Sequence, residues 1–263
     1  MSLTHRDLKD LRALSHKKQR FSQGRFLIEG MRLVRDALLS SADIEQVLVS
    51  DKFAAGSAWP DLEHQARATS AAIVPITEIQ ARQLGDTRTP QGIFAAIKMP
   101  AVLNQPAPIL APPVLILDDI TDPGNLGTIL RTAEWFGVRT VLLTAASADV
   151  HNPKVVRGGM GAHFHLPVLW QGEPTKIAQA LSDDELTVLG ATMTGKPLDQ
   201  LPPTEKGWAL VIGSEAHGLG EFWSERLDLA LTIPGFGAVE SLNAAVAAGI
   251  ILHYLQRDTQ HSE

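Results

Sequence analysis

The stretch that most restricts the fold is residues 229–255, LALTIPGFGAVESLNAAVAAGIILHYL. Residues 229–233 are an apolar run closed by Pro234, Gly235 and Gly237, the pattern of a buried strand ending in a tight loop. Ser241 then suits the N-cap of a helix, because its hydroxyl can accept from a free backbone N–H. Ala244, Ala245, Ala247, Ala248 and Gly249 follow. Side chains this small let another backbone come very close, and a helix needing only a core face would carry larger ones. Two earlier stretches repeat the plan of apolar strand, glycine loop and helix. They are residues 114–138, VLILDDITDPGNLGTILRTAEWFGV, and residues 209–222, ALVIGSEAHGLGEF.

Strands alternating with helices indicate an α/β fold with parallel pairing. In open sheets of that kind, ligands bind beyond the carboxyl ends of the strands. The three loops are therefore expected to share one pocket. Leu126, Ile129, Leu130 and Ala133 mark the apolar face of the first helix. Arg131 lies off that face, on the same stripe as Gly127, which leaves room beside its stem. Spacing alone favours a surface salt bridge with Glu134 or a neighbour. Asn125 could cap the helix. Glu215 reads as a solvated loop carboxylate, Asn243 as polar filler, and Ile233 and Leu242 as core. The loop GSEAHGLG has neither Gly-Lys-Ser/Thr nor GxGxxG spacing, which excludes a Walker loop and removes the fingerprint of a nicotinamide dehydrogenase. His151, His163, His165 and His217 are not paired at i, i+4, and the chain has no cysteine, so no metal site is expected.

Taken together, the three stretches resemble the signature motifs of the SpoU/TrmH family, the SPOUT-class RNA ribose methyltransferases. The first motif is carried by Asn125, Gly127 and Arg131, the second by Gly213, Glu215 and Gly218-Leu219, and the third by Ile233-Pro234 and Ser241-Leu242-Asn243. The resemblance implies a parallel sheet with helices on both faces and a C-terminal segment threaded into a trefoil knot. It also implies a homodimer with its site at the subunit interface. The implied methyl donor is S-adenosyl-L-methionine, held by Gly213, Ile233 and Leu242 with Thr192 and Gly218 beside them. The implied catalytic residues are Arg131, Asn125, Glu215, Ser241 and Asn243. Free arginine titrates above about 12 and is a poor base. Arg131 is therefore either activated by the RNA phosphate or holds that phosphate and stabilises the alkoxide.

Net charge is −6, but its distribution matters more than the total. Residues 1–35 carry nine Lys and Arg against three acids, a net of +6 that leaves −12 for the rest. A basic end on an acidic body suits an RNA-docking arm, and Lys17, Lys18, Arg20 and Arg25 are its candidate contacts. The plain alternative is a solvated helix face. Lys154 and Arg157 are further candidates for RNA backbone. No apolar run approaches the roughly 20 residues that span a bilayer, and no apolar signal core opens the chain. A cytoplasmic protein without disulfides is expected.

Along the chain, residues 3–20 are polar and basic, with Leu3, Leu8, Leu11 and Leu14 at helix-like spacing. Strands are predicted at 26–28, 44–49, 73–76 and 92–98, with Pro75 marking an edge. Ser50-Asp51 should open a loop, and helices follow at 61–69 and 78–84. Residues 99–113 hold five prolines and read as a linker. This gives an RNA-binding domain over 1–99, a Pro-rich linker over 100–113 and a SPOUT domain over 114–263. Residues 17–38 look like the start of the family's substrate-binding domain, which resembles ribosomal proteins. In the second domain, strands are predicted at 114–117, 140–144, 166–169 and 188–191, the last ending at Thr192. Helix is predicted at 175–181 and a polar connection at 198–205. A chain lacking residues 1–100 is expected to keep its fold. The favoured function is 2′-O-methylation of structured RNA, ribosomal first and transfer RNA second. A non-catalytic RNA-binding or ribosome-assembly protein that keeps the fold is the alternative from another class.

Overall fold

A computed structural model describes residues 3–87, 89–99, 110–182, 186–202 and 207–259. The chain forms two compact units. The first holds the described residues before 101 together with His151–His165, and the second holds the remainder.

The first unit begins with α1 (His5–Ala13), α2 (Lys17–Gln23), β1 (Arg25–Glu29), α3 (Met31–Leu38) and β2 (Ile44–Ser50). It continues through α4 (Asp51–Ala54), α5 (Trp59–Ala68), β3 (Ala72–Ile76), α6 (Glu78–Leu84) and β4 (Ile93–Lys98). The sheet order is β1-β4-β2-β3, so Pro75 does lie on an edge strand. Central β4 shows why its sequence is apolar throughout. Ile93, Ala95 and Ile97 pack on one side with Val34, Ala37 and Leu62, while Phe94 and Ala96 pack on the other with Leu8, Leu11 and Leu84. Alternate residues face opposite sides, and both sides are covered.

Two expectations fail here. Ser50 does not open a loop: its hydroxyl accepts from the Phe53 N–H and caps α4. The helical spacing of the leucines is realised in α1, and Arg20, expected to contact RNA, lies in α2 beyond the turn that follows. Its side chain is buried, and its guanidinium donates to the carbonyls of Leu14 at 2.8 Å and Ser15 at 2.9 Å, between α1 and α2. Arg20 is thus a brace for the turn and not an RNA contact. Arg20→Met is expected to destabilise the protein by roughly 2–4 kcal/mol, because buried acceptors lose charged donors. Urea denaturation with an unchanged m-value would measure it, and a change below about 0.5 kcal/mol would refute the brace.

Residues 100–109 of the proline-rich linker lie outside the described residues. The second unit starts with β5 (Val114–Leu117), α7 (Pro123–Trp135) and β6 (Thr140–Thr144). The chain then crosses to the first unit, where α8 (Pro153–Gly159) packs. Val156 enters that unit's core beside Phe26 and Val34, and Arg157 pairs with Asp86 at 2.8 Å. Back in the second unit come β7 (Val168–Gly172), α9 (Pro174–Ser182), β8 (Thr187–Pro197), β9 (Trp208–Ile212), α10 (Glu221–Ser224), β10 (Leu229–Thr232) and α11 (Ala244–Thr259). All six strands are parallel, in the order β10-β8-β9-β5-β6-β7. The predicted strand at 166–169 starts two residues later. The strand predicted to stop near Thr192 runs on to Pro197, with a register jump against β10. Gly190 pairs with Ala230, then Lys196 with Leu231, so residues 191–195 leave the ladder between them. Of the polar connection at 198–205, residues 203–205 lie outside the described residues.

Candidate active site

The site lies where the sheet changes its winding direction. β5 and β9 pair side by side, with Leu117 opposite Ile212. From β5 the chain goes on to β6, whereas β9 leads to β10 beyond β8. Crevices open at such points, outside the carboxyl ends. The Asp118 carboxylate accepts from the Gly220 N–H at 3.3 Å and ties the loop after β5 to the loop after β9.

Each loop then delivers one polar side chain. Asp122 caps α7 by accepting from the Asn125 N–H at 2.8 Å, with Pro123 opening the helix. This corrects the cap assigned to Asn125. An Asp before a Pro at the first helical position is the better start signal, and the Asn125 side chain, in the first turn, is not needed for the cap. In the second loop, the Gly218 N–H donates to the Ser214 carbonyl at 2.8 Å. A Cβ on Gly213 would lie 2.1 Å from the Gly218 carbonyl oxygen, so only glycine allows this closure. Gly218 itself has φ 68°, which also favours glycine. Glu215 sits within that closed loop.

One oxygen of Glu215 gathers all three motifs. Its Oε1 accepts from Asn125 Nδ2 at 2.8 Å, Asn243 Nδ2 at 2.7 Å and the Ala244 N–H at 2.8 Å. Asn243 Nδ2 also donates to Asn125 Oδ1 at 2.9 Å. Asn243 Oδ1 accepts from the N–H groups of Ala245 and Val246, so Asn243 is the N-cap of α11. This corrects the cap assigned to Ser241, which is exposed two residues earlier. Bonds to a carboxylate are short and strong, and these span residues 125, 215 and 243–244.

Arg131 stands apart from the cluster. It lies six residues beyond Asn125, about 9 Å along α7 and about a third of a turn away. It is exposed, and its side chain has no hydrogen-bond or ion-pair partner among the described residues, so the ion pair expected with Glu134 or a neighbour does not form. The residues named for the donor pocket are placed as follows. Thr192 is half-buried in the strand excursion, with its hydroxyl 3.5 Å from the Leu231 carbonyl. Ile233 is half-buried, Leu242 is 43% exposed, and Phe236 is fully exposed. Among the described residues, 233–242 make no backbone hydrogen bonds to one another or to other segments. Gly213 and Leu242 each lie two residues from the Glu215–Ala244 bond.

Of the basic candidates, Lys17, Lys18 and Lys154 are exposed, with the Lys17 ammonium 5.7 Å from the Phe21 ring. Arg25 is paired with Glu45 at 3.0 Å and Arg157 with Asp86. Sequence reasoning missed Asp118, Asp122 and the Ala244 N–H. Only Asp122 had a legible signal, its position before Pro123.

Residues 112–253 match the model of the SpoU rRNA methylase family, and residues 6–95 match an MRM3-like substrate binding domain. The chain belongs to the SpoU rRNA methylase family. It is 35% identical over 255 residues to the 23S rRNA (guanosine(2553)-2′-O)-methyltransferase RlmP of Bacillus subtilis, covering 97% of this chain and 98% of that one. It is 28% identical to a 23S rRNA (uridine(2479)-2′-O)-methyltransferase of Streptomyces viridochromogenes, over 91% of this chain and 85% of the other. The crystal structure of the SpoU methyltransferase AviRb from Streptomyces viridochromogenes with AdoMet superposes with a TM-score of 0.85 at 25% identity, over 98% of both chains. The α/β fold with its parallel sheet is thus that of known SpoU methyltransferases. These two relatives are named for the ribose of different nucleosides, a guanosine and a uridine, so family membership does not fix the target nucleotide.

Proposed function

We propose that this protein transfers a methyl group from S-adenosyl-L-methionine to a ribose 2′-hydroxyl of structured ribosomal RNA. The observation that carries this is the Glu215 oxygen joining Asn125, Asn243 and Ala244. A protein kept only for RNA binding has no use for such a junction of three loops at the winding reversal of its sheet. The family match and the relatives named for rRNA 2′-O-methylation support the same reading. Transfer RNA is the second substrate class.

The residues present fit the donor. An adenosine moiety needs backbone hydrogen bonds and apolar walls. Residues 233–242 offer backbone groups without such bonds among the described residues, and Ile233 and Leu242 offer apolar surface. Gly213, Gly218 and Thr192 complete the proposed set. When bound, the donor supplies an electrophilic methyl on a positively charged sulfur. The chain does the rest. Glu215 fixes the side chains of Asn125 and Asn243, and with the Ala244 N–H it fixes the start of α11. Ser241 and Asn243 then face the incoming ribose. The Arg131 fork holds the RNA phosphate and stabilises the charge that develops on the ribose oxygen. Lys17, Lys18 and Lys154 take backbone phosphates on the first unit.

Residues 1–99 serve as the RNA-binding domain and 114–263 as the SPOUT domain, whose C-terminal segment is threaded as a trefoil knot. The protein works in the cytoplasm as a homodimer. Trp135 on α7 and Val246 and Ile250 on α11 are exposed apolar side chains that a second copy would cover. Among the described residues, no helix is long and apolar enough to cross a membrane.

Calorimetric titration with the donor tests the reading first, since a pure RNA binder shows no heat of binding. Mapping ribose methylation in RNA from cells lacking the protein tests the substrate, and a lost mark in transfer RNA would select the second class. Gly213→Val is expected to raise the donor Kd at least about tenfold, because a side chain there collides with the backbone of its own loop. Unchanged affinity would remove this loop from the donor pocket.

A further inference from the structure

The first unit holds a cavity of about 50 Å³ that the proposed methyl transfer leaves unused. Its floor is apolar, from Leu11, Leu33 and Val156, and its rim carries Arg12, Asp86 and Arg157. The rim is held in place by hydrogen bonds. Arg157 donates to Asp86 Oδ2 at 2.8 Å, and the Asp86 N–H donates to Glu29 at 2.9 Å. The guanidinium of Arg12 is exposed and bonds to no described residue, and Asp86 keeps its second oxygen as an acceptor. The cavity therefore offers an apolar slot with donors and an acceptor converging at its mouth.

Size and charge narrow the ligand. One water needs about 10–15 Å³, so the cavity takes roughly four waters, about the bulk of one six-membered heterocycle. Arg6, Lys9 and Arg12 follow one another at three-residue spacing along one side of α1, all exposed. They lead towards Lys17 and Lys18, which the Arg20 brace presents at the start of α2. A run of cations suits phosphates. RNA is read in sequence-specific fashion through unpaired bases that are splayed out, stacked on aromatic or guanidinium planes and hydrogen-bonded along their edges.

We infer that the first unit binds one unpaired pyrimidine base of its RNA in this pocket, with the flanking phosphates on the cations of α1 and α2. This rests on the proposed RNA substrate and deepens it. The base enters over Arg12, its edge meets Asp86 and Arg157, and the apolar floor replaces its water.

The test uses the full-length protein and strands of about ten nucleotides: oligouridylate, oligocytidylate, oligoadenylate and an abasic strand. Salt is held constant, because phosphates alone bind all four. One pyrimidine strand should bind about tenfold more tightly than the adenylate and abasic strands, within the range of a single stacked base. Ser15→Phe at the mouth and Leu33→Phe at the floor should each erase that preference and leave abasic binding within about twofold. Ser15 is exposed, so its variant keeps the test alive if Leu33→Phe does not fold. Equal binding of the four strands, or a preference that survives Ser15→Phe, overturns the inference. Donor titration of the same sample keeps two failures apart. Donor binding without a base preference overturns the pocket alone, and a base preference without donor binding overturns the methyltransferase reading alone.

Discussion

Arg131→Ala is expected to slow methyl transfer by about a hundred- to a thousandfold, the effect of removing one donor from a developing oxyanion. Donor affinity should stay within about threefold, a difference below about 1 kcal/mol. Three features of α7 argue that the loss falls on chemistry and not on folding. The helix is anchored by the Asp122 cap and by Leu126, Ile129, Leu130 and Ala133, all fully buried. Arg131 lies off that face and is exposed. Among the described residues nothing hydrogen-bonds to its side chain, so its removal orphans no partner and opens no core cavity. Surface changes of that kind stay within about 0.5 kcal/mol. Arg131→Lys should recover little, because an ammonium keeps the charge but loses the planar fork. Single-turnover transfer from labelled donor, with calorimetry and thermal melting of the same samples, separates these effects. A rate near wild type, or donor binding lost along with the rate, would move Arg131 out of its assigned role.

Much of the frame is legible in the sequence because glycine and proline punctuate it. β5, β6 and α6 fall on the residues that periodicity predicts, and Pro75 marks an edge. What the sequence does not settle is which of several suitable groups takes a role. Ser241 and Asn243 are both able caps, and Asn243 takes the position because Glu215, 28 residues earlier, draws its amide and the Ala244 N–H. Asn125 and Asp122 compete in the same way, and Pro123 decides for Asp122. Arg20 looks like its neighbours Lys17 and Lys18 in a charge pattern, yet two carbonyls of the preceding turn receive its guanidinium. The register jump in β8 follows from Gly195, whose added Cβ would lie 2.5 Å from the backbone between Ala230 and Leu231. The cap at Asn243 and the jump at Gly195 are set by residues distant in sequence, which local pattern cannot see. The three-way junction at Glu215 was reachable only through the family resemblance.

Deleting residues 1–100 is expected to release residues 151–165 from their seat, contrary to the intact fold that the sequence predicts. In the full chain Val156 is buried in the first unit's core with Phe26, Val34 and Ile97, and Phe164 packs against the same cluster. The His151 ring lies 4.7 Å from Phe26, and Arg157 pairs with Asp86. Every one of these partners lies before residue 101, and burying one such apolar side chain contributes about 1.5–3 kcal/mol. Without them the segment loses the apolar cover of that core and the Arg157–Asp86 pair, whereas the sheet of the second unit keeps its own core around Val114, Ile116, Ala209 and Val211. Limited proteolysis should therefore cut the shortened chain within residues 151–165, at protease levels that leave the full chain whole, and spare the strands on either side. Val156→Asp in the full chain should produce the same cut, because an unpaired buried carboxylate costs several kcal/mol. A shortened chain as resistant between residues 151 and 165 as the full one would mean that α8 has its support elsewhere. If only the shortened chain were cut, and Val156→Asp stayed resistant, the seat would depend on Arg157 and the rings more than on the apolar contact.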